Sequence, residues 1–267
     1  MTPMKNSSIK KIRFALGFAV AIALPSCLEN ETTITLNKDG SGTIIEETVL
    51  ATDMLAMMTQ FSPPGTPDPF TDMFSDAKSK AKASKLGTGV EFVKTEMVRR
   101  GGKKGARVEY KFTDINNIEV NATDALEQLE EPGSGTPKQD QAVKFIYTGG
   151  ELKITTPPTD FEGMPIPDTD AAEQDPQAEM MSGMIKDTQV TMKLVIADGI
   201  AETNATHREG DTITLIDVEV GKMLSQKSKL KAIAETAKTD VEAAELEFSK
   251  LRGVKVETQN EVTVKVK

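Results

Sequence analysis

Beyond residue 30 the chain is punctuated by stretches in which apolar and polar residues alternate with a period of two, the pattern of strands with one buried face. Glu31 to Leu36 sets Thr33 and Thr35 against Ile34 and Leu36, Asn37-Lys38-Asp39-Gly40-Ser41-Gly42 supplies turn residues, and Thr43 to Leu50 returns with Ile44, Ile45, Val49 and Leu50. This predicts an antiparallel hairpin. A second hairpin is predicted from Val90 to Val98 and from Arg107 to Phe112, turning at Arg99-Arg100-Gly101-Gly102-Lys103-Lys104-Gly105. Its Val108, Tyr110 and Phe112 face inward, and Arg107, Glu109 and Lys111 face solvent. Val143 to Tyr147 and Leu152 to Thr155 flank Thr148-Gly149-Gly150-Glu151 as a third. Gln189 to Ala197 and Ile200 to Thr206, joined at Asp198-Gly199, read as a fourth, after which Asn204 to Asp211 turns into Thr212 to Val220. A last pair, Val254 to Glu257 and Val262 to Val266, closes the chain on the sheet.

Helical spacing appears between these strands. Thr52 or Asp53 caps a short helix bearing Met54, Met57, Met58 and Phe61, and Pro63-Pro64 ends it. Asp68-Pro69 starts another, with Phe70, Met73, Phe74, Ala77 and Ala81 inward and Lys78, Lys80, Lys82 and Lys85 outward, stopped by Gly87. Gly221 to Thr236 carries Met223, Leu224, Leu230 and Ile233, and Thr239 or Asp240 caps Val241 to Leu251 with its stripe Val241, Ala244, Phe248 and Leu251. One long helix over 221–252 and a helical hairpin broken near Ala237 both fit that pattern. No regular strand–helix alternation appears, so the fold class is α+β, with antiparallel hairpins in a sheet packed by several helices.

Two stretches lack a strand or helix pattern. Residues 130–140 hold nothing apolar to bury. Residues 156–179 set Pro157, Pro158, Pro165, Pro167 and Pro176 among seven acidic residues, the composition of an extended, disordered segment. Such a segment separates two halves or is an insertion within one sheet-based domain, with 178–186 as a short helix beyond it. Insertion is the preferred reading, because each half alone has few strands and an open sheet edge.

The amino terminus has a different pattern. Lys5, Lys10, Lys11 and Arg13 precede the apolar run Phe14 to Leu24, which closes on Leu24-Pro25-Ser26-Cys27. A cationic start, about 11 apolar residues and a small residue make a secretory signal, too short for a spanning helix of roughly 20 residues. The four closing residues resemble the lipobox of bacterial lipoproteins. That resemblance implies a diacylglyceryl thioether on Cys27, cleavage just before it, and residues 27–267 as an extracytoplasmic domain behind a 1–26 signal peptide. It also implies a lipid-anchored place at the cell membrane or outer membrane, facing the periplasm or the exterior. Leu28 lacks the acidic character that retains some lipoproteins at the inner membrane. Cys27 is the only cysteine, so no internal disulfide is available to it, and a thioether removes a free thiol from an oxidising compartment.

Removal of the leader leaves 241 residues and takes the formal charge from −9 to −13, since those 26 residues carry four positive side chains and no negative one. Such acidity disfavours nucleic acid and electrostatic attraction to anionic lipid. With no Trp and two Tyr, aromatic platforms for bases or sugars are not expected either.

Candidate chemistry is sparse. Asn37, Asp39 and Ser41, with Gly40 and Gly42, have the oxygen spacing that opens a calcium loop, but Thr48 stands where a bidentate Glu belongs, so an ordinary acidic turn is expected. His207 is the only histidine and has no free Cys or second His to share a metal, so it is expected as a polar residue in a turn. Methionines at 54, 57 and 58 and at 180, 181 and 184 suit Cu(I) chemically, yet helical spacing makes them apolar filler. The lysines at 78–85 and 222–231 read as solvated helix faces or as contacts for phosphate head groups beside the anchor. No catalytic residue, cofactor or metal is expected, and Cys27 is the one site residue.

The Asp-Gly-Ser-Gly hairpin over Ile34 to Leu50, immediately after the anchor and followed by helices and more hairpins, resembles bacterial lipoproteins of the mycobacterial LppM-like type. That resemblance implies an antiparallel α+β module on a membrane surface and assigns no active-site residues. The expected function is a non-catalytic binding or structural component of the envelope, held by its lipid and meeting an envelope protein. A carboxylate-dependent enzyme on envelope polymers and a carrier of lipid or amphiphile in a cavity between sheet and helices are the alternatives.

Overall fold

A computed structural model describes residues 28–61, 68–121, 142–159, 161 and 188–267. The leader, Cys27, the 130–140 loop, most of 156–179 and the helix expected at 178–186 lie outside those residues. Among the described residues the fold is α+β, two sheets with short helices. The larger sheet holds β1 (Leu28–Leu36), β2 (Gly42–Ala51), β3 (Val90–Arg100), β4 (Lys103–Phe112), β8 (Thr188–Ile196), β10 (Arg208–Glu209), β11 (Thr212–Glu219) and β12 (Val254–Val256). The smaller holds β5 (Glu119–Val120), β6 (Val143–Thr148), β7 (Glu151–Thr155), β9 (Ile200–Thr203) and β13 (Glu261–Val266). Strand order is β10-β11-β8-β1-β2-β4-β3, with β12 also on β11, and β5-β6-β7-β13-β9.

The three hairpins with local turns form as expected: Ile34 lies opposite Ile44, Val90 opposite Phe112, and Tyr147 opposite Leu152. Two adjacent-strand expectations are corrected. β8 and β9 do not pair; β8 runs between β1 and β11, while β9 pairs β13 in the other sheet. Likewise β12 joins β11 in the larger sheet and β13 joins β7 in the smaller, so the closing pair falls on two sheets rather than one, with 257–260 the passage between them. The larger sheet is mixed, because β1 and β8 are parallel along their whole length, from Leu28 opposite Thr188 to Leu36 opposite Ile196. Two glycines permit close strand approach: a Cβ at Gly42 would stand 1.9 Å from the Thr35 carbonyl oxygen, and one at Gly105 2.0 Å from that of Thr48.

The helices are α1 (Thr52–Phe61), α2 (Pro69–Met73), α3 (Asp76–Leu86), α4 (Val220–Leu224), α5 (Lys227–Ala237) and α6 (Val241–Ser249). The single helix expected after Asp68 is two. Asp68 caps α2 by accepting from the Thr71 N–H, and Ser75 starts α3 by accepting from that of Lys78. This second cap resets the helical phase, so Ser79, Ala83 and Leu86 are buried while Ala77 and Ala81 face solvent. The 221–252 segment breaks at Ser225–Gln226 and again after Ala237, where Asp240 caps α6 by accepting from Ala243.

The main core lies between the sheets. Ile34, Leu36, Ile44, Tyr110, Phe112, Leu194 and Ile213 from the larger sheet meet Phe145, Leu152, Ile154, Val262 and Val264 from the smaller, with Ala83 and Leu86 of α3. A second cluster gathers α4 to α6, Phe161 and Val254. A third, at the end of the larger sheet where β1 begins, holds Leu28, Leu50, Met54, Phe74 and Ala106.

Candidate functional site

β1 starts at Leu28, the residue after Cys27, and this end of the sheet has a distinctive composition. Leu28 lies opposite Leu50, Leu50 opposite Lys104, and Lys104 opposite Arg99, so one cross-strand row runs from the first described residue to the base of the β3–β4 hairpin. At about 4.8 Å per strand, that row spans about 14 Å. The hairpin tip reads Arg-Arg-Gly-Gly-Lys-Lys over residues 99–104 and rests on the start of α1, where the Thr52 hydroxyl donates to the Gly102 carbonyl at 2.6 Å. Arg100 bridges Glu29 at 2.7 Å and Glu47 at 3.3 Å, and Lys103 also pairs with Glu29. Lys104 points to the other face, with Nζ 5.7 Å from the ring centre of Phe70. Leu55, Met58, Phe70 and Met73, all half-buried, pack against the small cluster from α1 and α2.

Between this end and the main core, the inner face of the larger sheet turns polar. Asn30 and Thr32 are buried, and Asn30 Nδ2 donates to Thr48 Oγ1 at 2.8 Å. Lys82, expected in solvent, instead reaches from α3 to Glu46 at 2.8 Å with both side chains largely covered. Next to them Tyr110 is buried and hydrogen-bonded to Ser79; burial, and then the Glu46 charge, push its phenol well above the ordinary value. Thr95 Oγ1 is buried with no hydrogen-bond partner. Strand and helix patterns taken separately gave no sign of this arrangement, because Glu46 and Lys82 come together only through packing of α3 on the sheet.

The calcium-like turn keeps its oxygens for itself. Asp39 Oδ1 accepts from the Ser41 N–H at 3.0 Å and from Ser41 Oγ at 2.6 Å, which holds its carboxyl below the usual range, and Asn37 Nδ2 donates to Ser41 Oγ. Tyr147 closes over it by donating its hydroxyl to the Lys38 carbonyl at 2.9 Å. His207 sits where the chain passes from β9 to β10, its Nε2 3.2 Å from the Val256 carbonyl oxygen. Beside it, Glu257, buried between β12 and β13, accepts from the N–H of Thr206, Thr258 and Gln259 and from the Thr206 hydroxyl, so one carboxylate sutures two passages between the sheets. A shallow surface groove is lined by Glu242, Glu245, Leu246, Thr258, Gln259, Asn260 and Glu261; Glu245 there accepts from the Thr159 N–H, and Glu261 pairs with Lys153.

Of the methionines, Met54 is buried in the small cluster and Met58 packs beside it. Met180, Met181 and Met184 lie outside the described residues, as does Cys27. Among the described residues no three His, Cys, Asp or Glu side chains converge to hold a metal, and no helix is long and apolar enough to cross a membrane.

No protein-family model matches the chain, and no curated protein matches it. Among solved structures, the folded domain of Mycobacterium tuberculosis LppM overlaps 73% of this chain and 84% of its own, at 12% identity and a TM-score of 0.33. An M1 zinc metallopeptidase from Deinococcus radiodurans overlaps 73% of this chain and 41% of its own, at 12% identity and a TM-score of 0.24. Overlaps this loose carry no argument about the chemistry of this chain.

Proposed function

We propose that the protein is an envelope lipoprotein, attached to a membrane through acylated Cys27, whose body is a non-catalytic binding or structural module. The observation that carries the reading is that Leu28, directly after the closing Cys of the lipobox-like Leu24-Pro25-Ser26-Cys27, is already paired in β1. The described fold thus reaches to within one residue of the proposed acylation position. One chain gives marginal attachment, at about 0.8 kcal/mol per buried methylene, and two or three give a stable one. A non-catalytic role is supported by how the polar groups are used: Asp39, Glu46 and Glu257 are each committed to hydrogen bonds or an ion pair that hold the fold.

Intact mass of the native product tests the anchor. Loss of residues 1–26 and a gain of two or three acyl chains are expected, and Cys27→Ser is expected to leave the membrane fraction without mature protein. An unmodified thiol with the leader attached overturns the reading. Crosslinking in the native envelope, followed by recovery, identifies the partner. The alternative, a carboxylate enzyme, places its chemistry in the groove of Glu242, Glu245 and Glu261. It predicts that Glu242→Gln with Glu245→Gln abolishes turnover of an envelope polymer while the fold persists.

A further inference from the structure

We propose that the end of the larger sheet at Leu28 is a contact face for anionic lipid head groups, which fixes how the body stands on its membrane. The inference rests on the anchoring reading of Cys27 and goes beyond it by naming the face and the lipid charge it takes.

Three observations converge on this end. First, no linker separates the anchor from the sheet: Leu28 is already paired with Leu50 and Thr188, so a single peptide link, about 3.8 Å between Cα atoms, joins the acylated position to the cross-strand row. A body attached so closely has little freedom to turn another side to the bilayer. Second, that row leads to the hairpin tip Arg99-Arg100-Gly101-Gly102-Lys103-Lys104, four cations in six residues of a chain whose formal charge is −9. Glu29 and Glu47 are held by Arg100 and Lys103 on one face of the sheet, while Arg99 and Lys104 stand on the other, Arg99 exposed. Third, α1 and α2 beside the tip offer half-buried Leu55, Met58, Phe70 and Met73, adaptable side chains of the kind that settle at the head-group boundary. Acids on the same helices are partly engaged: Asp68 caps α2 and Asp72 pairs with Lys78, while Asp53 stands in the first turn of α1.

The acidity of the whole chain does not oppose this. Repulsion between a membrane and charges farther than a Debye length, about 10 Å, is largely screened, so the residues within that layer decide the contact. The opposite end, with Asp39, Asp198 and Asp211 near the β1–β2 turn, lies about 27 Å away along the eight steps from Leu28 to Leu36.

The chain has no Trp, so single introduced tryptophans report position cleanly. Mature protein carrying Ala56→Trp on exposed α1, or Thr148→Trp at the far hairpin, is reconstituted in vesicles with brominated acyl chains. One set is phosphatidylcholine alone; the other holds about one third phosphatidylglycerol. Quenching of Trp at 56 is expected to be at least about twofold stronger in the anionic vesicles, Trp at 148 is expected to stay unquenched in both, and Arg99→Glu with Lys104→Glu is expected to return position 56 to its value in the neutral vesicles. A thermal melt of each variant confirms that it is folded. Equal quenching at the two positions, or no dependence on phosphatidylglycerol, overturns the face. Intact mass of the same samples reads the anchor separately. Acylated protein without position or charge dependence sinks the face alone. Unacylated protein that still sediments with anionic vesicles sinks the anchor and supports the face; unacylated protein that does not sediment sinks both.

Discussion

Ile34 and Leu28 sit on the same face of the same strand, six residues apart, and serve different parts of the molecule. Ile34 is sealed between two sheets among large, fully buried aliphatic and aromatic side chains. Leu28 belongs to a small cluster with Leu50, Met54, Phe74 and Ala106, edged by Leu55, Met58, Phe70 and Met73 of two short helices, which are themselves half-exposed. Between them the strand carries Asn30 and Thr32, a polar step that divides one apolar face into two clusters. The lesson is that burial of a single residue does not report its worth. What matters is whether the atoms around it can relax when it is cut back, and a layer of flexible thioethers relaxes more than two interlocked sheets.

The contrast is broken most directly by truncation on both sides. Ile34→Ala is expected to cost about 3 kcal/mol in urea unfolding and Phe70→Ala about 1 kcal/mol or less; equal losses would show that the end cluster is as structural as the core. Next comes the suture that keeps the two sheets in register. Glu257→Ala strips the partner from three N–H groups and a hydroxyl and is expected to cost about 2 kcal/mol, with early hydrogen exchange at 203–208 and 257–261 but not at the β3–β4 tip.

Tyr110 sharpens the comparison through pH. Its phenol is raised in the folded state, so the stability it lends is present below the ordinary tyrosine value near 10 and is lost as pH climbs from there toward the folded value. Each unit in that window costs about 1.4 kcal/mol. Tyr110→Phe is expected to flatten the alkaline limb of the stability curve, measured as the urea midpoint between pH 9 and 11. The smallest effect belongs to Asp39, whose carboxyl is lowered by Ser41: its contribution is present above pH 3.8 and fades as pH falls below it. Asp39→Asn is expected to shift the melting temperature by a few degrees at most, with no response to added calcium in either form.

Local features of the fold were legible because their causes are local. The turn at Asn37–Gly42 and the alternation on either side of it place Ile34 opposite Ile44 without reference to any other residue. The same holds for β3–β4 and β6–β7. What could not be read are relations between distant segments. Nothing in residues 188–196 marks them as a parallel partner of β1, and Asp198-Gly199 looks like a hairpin turn although it carries the chain from one sheet to the other. The phase of α3 does not follow from Asp68, because Ser75, an inconspicuous cap two residues after Met73, begins a new helix. At the site, Cys27 and the Arg-Arg-Gly-Gly-Lys-Lys tip are both plain in the sequence. That the tip lies in the same row as Leu28 is a product of sheet order, which places β2 and β4 between them.

The parallel pairing of β1 with β8 sets a timetable for folding. A chain made from its amino terminus completes β1 early and closes the hairpin with β2 at once, but the other edge of β1 has no partner until a segment 160 residues farther on has emerged. That wait lasts until both ends of a 160-residue span are free to meet. During it a nine-residue strand presents free backbone groups to any neighbour that can add to it. Topology thus leaves one edge of β1 open until β8, 160 residues farther along the chain, is free to pair with it.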